Sequence, residues 1–197
     1  MKTIFFFLLA IFSIQHLQAQ RFTHGAGVGI FVTDAPLTDI GAFGTLTYSP
    51  RLNVYESEAI SLSLGVPLNI GFSGNYSYEN YGGYIDEQNS IRFMLNAPLL
   101  LNLNVGAGST KENEKRFGFF AGGGFGLHYG DYQYSVIENG FEYYESKYEA
   151  GFGPAANLGV RFAVGSHQKN IEARFSYMKT ITQSKTSVYG MGAVFNF

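Results

Sequence analysis

From Phe22 to Phe197 the chain alternates large apolar residues with small or polar ones at a period of two. In "GTLTYSPRLNV", Leu46, Tyr48, Leu52 and Val54 share one face, opposite Thr45, Thr47, Ser49, Arg51 and Asn53. In "IRFMLNAPLLLNLNV", Ile91, Phe93, Leu95, Leu99, Leu101, Leu103 and Val105 stand opposite Arg92, Asn96, Asn102 and Asn104. "FTHGAGVGIFV", "AISLSLGVPLNIGF", "RFGFFAGGGFGLHYG", "GFGPAANLGVRFAV" and "IEARFSYMKT" repeat the pattern, and "YGMGAVFNF" ends it. This period belongs to β-strands with two unlike faces. The segments make eight strands, each long enough to cross a bilayer when tilted, which takes about nine to eleven residues.

The first residues read differently. In "MKTIFFFLLAIFSIQHLQAQ", Lys2 supplies the only charge, an apolar run follows to Ile14, and Leu17 and Ala19 precede a small-residue cut. This predicts a cleaved secretory signal peptide over 1–19, with 20–197 as one barrel domain. Beyond it no apolar stretch reaches the ~20 residues of a membrane-spanning helix. A membrane form would therefore have to be a closed barrel, in which every backbone polar group finds a partner.

Composition decides which face meets what. Only 14% of residues are charged while 17% are aromatic, with 19 Phe, 14 Tyr and 25 Gly. The non-apolar face is mostly Gly, Ser, Thr and Asn. That suits a narrow filled lumen better than a water-washed surface, and an eight-stranded barrel is just wide enough to be packed by side chains. The joins sort by length: short near "YESEA", "GSTKENEK" and "GSHQKN", and long in two of the four opposite ones. The signal peptide and the even strand count put both termini in the periplasm, and short periplasmic turns with longer outward joins agree with that. Pro50, Pro67, Pro98 and Pro154 fall within these strands. Each removes a ladder donor, so β-bulges are expected at all four.

The signal peptide, the eight alternating strands and the terminal aromatic on the apolar face resemble the small outer-membrane β-barrel proteins of Gram-negative bacteria. The resemblance spans the mature chain and implies an antiparallel up-and-down transmembrane barrel in the outer membrane. It also implies recognition of the last strand by the barrel-insertion machinery, carried by Tyr189, Phe195 and Phe197.

Candidate sites are few. The lumen face holds Arg51, Arg92, Arg116, Arg161 and Arg174, with Glu172 the one clear acid. Arg51, Arg161, Arg174 and Glu172 belong to the periplasmic half, and Glu172 should reach Arg161 across a hairpin. Such a cluster is either an ion-paired plug or an anion-selective ring. The outward segments carry Tyr76, Tyr78, Tyr81 and Tyr84, then Tyr132, Tyr134, Tyr143 and Tyr144, among Glu79, Asp86, Glu87, Glu138, Glu142 and Glu145. They read as extracellular loops offering protein or glycan contacts, or as strands continued beyond the membrane. With no Cys there is no disulfide or thiolate metal site. His24, His128 and His167 have no nucleophile motif or ligand cluster beside them. The formal charge of −2 gives no reason to expect nucleic acid. The reading is a non-enzymatic outer-membrane barrel without cofactor. Its partners would be membrane lipid, the insertion machinery and an extracellular protein or glycan. A narrow channel for small solutes or anions, a lipid-modifying enzyme using His128, and a secreted soluble β-sandwich are the alternatives.

Overall fold

The computed structural model describes residues 22–36, 40–81, 84–110, 112–138, 141–165 and 169–197, with backbone pairing alone at 75–81, 84–90, 132–138 and 141–146. The expected signal peptide and His167 lie outside the described residues. Eight barrel strands follow in chain order. Strand β1 comprises Phe22–Thr23 and Gly25–Asp34, β2 comprises Gly41–Tyr48 and Arg51–Ser57, and β3 comprises Ile60–Gly65 and Leu68–Tyr81. Strands β4 Tyr84–Gly106, β5 Phe117–Glu138, β6 Phe141–Ala163, β7 Asn170–Lys179 and β8 Ser187–Asn196 are unbroken.

Each strand pairs antiparallel with the next, and β8 returns to β1 from Asn196↔Gly25 to Ser187↔Asp34. The sheet is therefore closed and has no edge within the barrel. His24 and Phe197 complete the seam: the Phe197 N–H donates to the His24 carbonyl at 2.9 Å. Phe22, Phe197, the 58–59 turn and the strand ends at Gly106, Phe117, Ala163 and Asn170 lie at one end of the barrel, the terminal end.

The alternation sorts the side chains as expected. Outward-facing Val28, Leu46, Ile70, Leu101, Phe125, Leu158, Phe175 and Met191 are all exposed. Among the described residues no charged side chain interrupts this outward belt. Aromatic pairs rim it: Tyr129–Tyr148 and Tyr177–Tyr189 at one end, Phe117–Phe162 at the other, with ring centroids 5.6, 5.1 and 5.4 Å apart. Inward-facing Thr45, Asn53, Ser63, Asn96, Asn104 and Asn157 are buried.

The prolines do not make bulges. The one register shift in the described ladders lies between Asn53 and Tyr55, away from all four. Pro50 and Pro67 interrupt the strand but not its register. Val66 donates its N–H to the Pro50 carbonyl at 3.2 Å, so Pro67 turns its nitrogen toward β4. There the unbroken register from Gly65↔Leu100 to Asn69↔Asn96 sets Pro98 opposite it. Both missing donors therefore fall on one rung, and the neighbouring rungs hold. The β6–β7 ladder stops at Met178↔Ala155, one residue before Pro154, and resumes with Ile181 N–H donating to the Phe152 carbonyl at 2.9 Å.

At the far end the Tyr-rich segments follow the second of the two readings given above, as continued strands. Pairing of β3 with β4 runs on to Tyr81↔Tyr84, and that of β5 with β6 to Glu138↔Phe141. The β4–β5 ladder stops at Leu95↔Tyr129. Beyond that rung the wall divides into two separate hairpin ribbons. Their alternating Tyr, Val, Ile and Phe content favours extension over looping.

Candidate functional site: charged groups inside the barrel

The lumen is packed in layers. Strand geometry places Glu172 of β7 opposite Arg161 of β6, and the side chains meet with Nε 2.8 Å from Oε2. Arg174, two residues along the same face of β7, donates Nε to Oε1 at 2.7 Å. Arg51 reaches in from β2, its Nη1 3.9 Å from Oε2. Glu172 is wholly buried and Arg161 1% exposed. Both carboxylate oxygens thus take charge-assisted bonds, the condition under which a buried ion group is tolerated.

Neutral groups hold the guanidinium arms. Arg161 Nη1 donates to Asn104 Oδ1 at 2.9 Å, Arg174 Nη2 to Ser49 Oγ at 3.0 Å, and Arg51 Nη2 to the Gly108 carbonyl at 3.5 Å. Asn104 in turn donates Nδ2 to Ser63 Oγ at 2.9 Å. Beneath the cluster lies the Phe120 ring, with the Arg161 and Arg174 guanidinium carbons 4.4 and 5.8 Å from its centroid. Cations over a ring face gain from its quadrupole. Sequence reasoning missed Phe120. The signal was the doublet Phe119–Phe120, which puts one ring on each side of the wall.

Next comes an apolar layer of Phe31, Met94, Leu100, Met178 and Val188, all buried. Glycines make room for it: a Cβ on Gly126 of β5 would run into Met178 Sδ, and one on Gly71 of β3 into Met94 Cγ.

The remaining sequence-predicted arginines lie elsewhere. Arg92 sits at the opposite mouth, where β4 and β5 part. Its Nε is 2.7 Å from Asp131 Oδ2, and its guanidinium carbon is 5.5 Å from the Phe43 centroid. It therefore ties the β3–β4 ribbon to the β5–β6 ribbon and to β2. Asp131 is a second inward acid that the alternation did not reveal, because its parity belongs to the outward face. Arg116 departs from the expectation altogether. It is exposed, one residue ahead of β5, and offers only its carbonyl to the Ala163 N–H at 2.8 Å. The strand starts too late to carry it inside.

The histidines are dispersed. His24 lies outside, its Nδ1 2.6 Å from Tyr48 Oη and its ring stacked 6.1 Å from Phe197. His128 is buried in the lumen. Among the described residues no group of three His, Asp or Glu is arranged to hold a metal. Tyr189, Phe195 and Phe197 face outward and are 48%, 40% and 55% exposed. The Tyr76, Tyr78, Tyr81 and Tyr84 backbones lie in the β3–β4 ribbon, and those of Tyr132, Tyr134, Tyr143 and Tyr144 in the β5–β6 ribbon.

No family model matches this sequence, and no curated protein matches it. Solved structures do. The crystal structure of Neisserial surface protein A covers 90% of this chain and 97% of its own, with a TM-score of 0.50 at 12% identity. The attachment invasion locus protein Ail of Yersinia pestis, in complex with the heparin analogue sucrose octasulfate, covers 90% and 98%, with a TM-score of 0.50 at 13% identity. The chain has the fold of the small outer-membrane barrels. At such identities the likeness extends to the fold, and the packing inside the barrel is this chain's own.

Proposed function

We propose that this chain is exported through a cleaved 1–19 segment, inserts in the outer membrane with both termini in the periplasm, and acts without catalysis. In this reading the barrel is an anchor and the two ribbons are the working parts. The observation that carries it is the plugged lumen. A pore must keep a wet path, whereas here Arg161, Glu172, Phe120, Met94 and Leu100 are each at most 2% exposed. Lipid is the partner of the outer face, whose charge-free apolar belt would leave a water-soluble protein uncovered. A groove of about 420 Å³ between Ile30, Leu158, Phe175, Tyr177, Tyr189 and Met191 has the character of an acyl-chain seat. The barrel-insertion machinery would read Tyr189, Phe195 and Phe197 from that same face.

The ribbons combine Tyr with acids: Glu79, Asp86 and Glu87 on one, Glu138, Glu142 and Glu145 on the other. Tyr gives broad contact area with a polar tip. The acids repel polyanions, so the ligand chemistry differs from that of the sulfated sugar held by Ail. An uncharged glycan or a basic protein surface fits better.

The first test is heat-modifiability in the outer-membrane fraction. A gel-mobility shift between boiled and unboiled samples is the expected result, and recovery in the soluble fraction without a shift overturns the reading. Planar-bilayer recording then addresses the narrow-channel alternative. No discrete openings are expected, and stable openings altered by Arg161→Gln would establish a channel instead.

A further inference from the structure

The strand register shows what stands over the apolar groove on the outer face. Phe175, Met191 and Ile30 share one of its rungs. Ala156, Tyr177 and Tyr189 share the next, toward the opposite mouth. Ala156 is the smallest of these side chains, and it keeps the groove open beside Tyr177. Tyr rings on a membrane barrel sit at headgroup level, with the ring in the apolar region and the hydroxyl in the polar one. The Tyr177–Tyr189 pair, 5.1 Å between centroids, therefore sets the depth. A hydrocarbon chain lying along Phe175 and Met191 ends at these rings, and its polar head falls on the rung beyond them, about 7 Å along the strands.

That rung is charged. Lys179 of β7 pairs with Ser187 of β8, and Ser187 with Asp34 of β1. Lys179 and Asp34 are both exposed. Lys179 Nζ donates to Ser187 Oγ at 3.1 Å, which draws the ammonium across β8 toward Asp34 and leaves it further N–H donors. A cation suits a phosphate, and the carboxylate beside it wants a donor. A second ammonium, such as that of an ethanolamine head, would meet Lys179's own charge there. Sugar hydroxyls donate to a carboxylate without that repulsion.

We propose that the groove and this rung together bind one phosphorylated, acylated sugar lipid, with an acyl chain along Phe175 and Met191, the phosphate on Lys179 and a sugar hydroxyl donating to Asp34. The inference rests on the reading of the outer face as lipid-covered. It adds one headgroup-selective site to a face that otherwise takes lipid of any kind.

Native mass spectrometry of the barrel refolded in a non-ionic detergent reads bound lipid directly. Three probes compete at equal concentration: an acylated diglucosamine carrying one phosphate, the same lipid without phosphate, and phosphatidylethanolamine. Retention of one phosphorylated sugar lipid per barrel, in preference to the other two, is expected. Lys179→Gln should lower that retention about fivefold, which is what one interfacial lysine contributes. Asp34→Ala should narrow the preference for the sugar lipid over phosphatidylethanolamine. Ala156→Phe fills the groove with a side chain that a lipid face tolerates, and it should lower retention while the heat-dependent gel shift persists. Equal retention of all three probes means ordinary surrounding lipid and overturns the proposal. So does phosphatidylethanolamine outcompeting the sugar lipid, or retention unchanged in Lys179→Gln or Ala156→Phe. The gel shift, read on the same samples, separates the two failures: a lost preference with the shift intact removes this site alone, whereas recovery in the soluble fraction removes the lipid-covered face itself.

Discussion

The two charged sites of this barrel use the same residue types to different ends. At the terminal end Arg161 and Glu172 meet at 2.8 Å and are 2% and 0% exposed in their side chains. At the opposite mouth Arg92 and Asp131 meet at 2.7 Å, with 21% and 10% exposure. The distances hardly differ, but the surroundings do. The first pair lies within a closed wall, bonded on to Asn104 and Arg174 and set over Phe120. The second lies where the wall has split, and it spans two ribbons that share no ladder. The first is therefore a packing element whose loss leaves buried charge. The second is a clip, worth little in energy but placed to hold the ribbons in register with the barrel.

The sharpest way to break this comparison is Glu172→Gln. Buried Arg161 and Arg51 and half-buried Arg174 would face a neutral amide, and stripping one partner from a buried pair costs about 3–5 kcal/mol. Chemical unfolding of the refolded barrel should show that loss or a failure to refold, and an unchanged midpoint would mean that water already screens the cluster. Phe120→Ala comes next. It removes the ring under two cations and opens a cavity, for a loss of about 3 kcal/mol by the same measurement. Asp131→Asn should cost under about 1 kcal/mol, because a partly exposed pair contributes little. Its mark should be kinetic instead. Proteolysis of the ribbons at 75–90 and 132–146 should quicken while the barrel core stays resistant, and raising the salt should mimic it in the wild type. Arg116→Ala should do nothing to stability beyond a few tenths of a kcal/mol. A larger effect would return Arg116 to the lumen.

Much of the barrel was legible because period-2 alternation is a rule about faces. It assigned Leu46, Leu101 and Phe175 outward and Asn53, Asn104 and Arg161 inward without knowledge of neighbours. Adjacency of Glu172 and Arg161 was also legible, since a short turn sets the hairpin register. The misses share one cause: they turned on where a strand begins, where its pairing ends, or what stands across from it. Arg116 has inward parity but precedes β5. Asp131 has outward parity but lies past the last β4–β5 rung, where parity no longer dictates direction. The prolines suggested bulges because each was read alone, whereas Pro67 and Pro98 share a rung and disrupt it once.

By itself the sequence determined the alternating strands with one apolar and one polar face, and for a membrane form it required closure, because without a helix-length apolar stretch only a closed sheet satisfies the backbone in lipid. Only the tertiary structure decided which further groups join the Arg161–Glu172 pair. Arg51, Arg161, Arg174 and Glu172 come from three strands, and Phe120 and Asn104 from two more. Their convergence depends on barrel radius and stagger, quantities that exist only once all eight strands have closed.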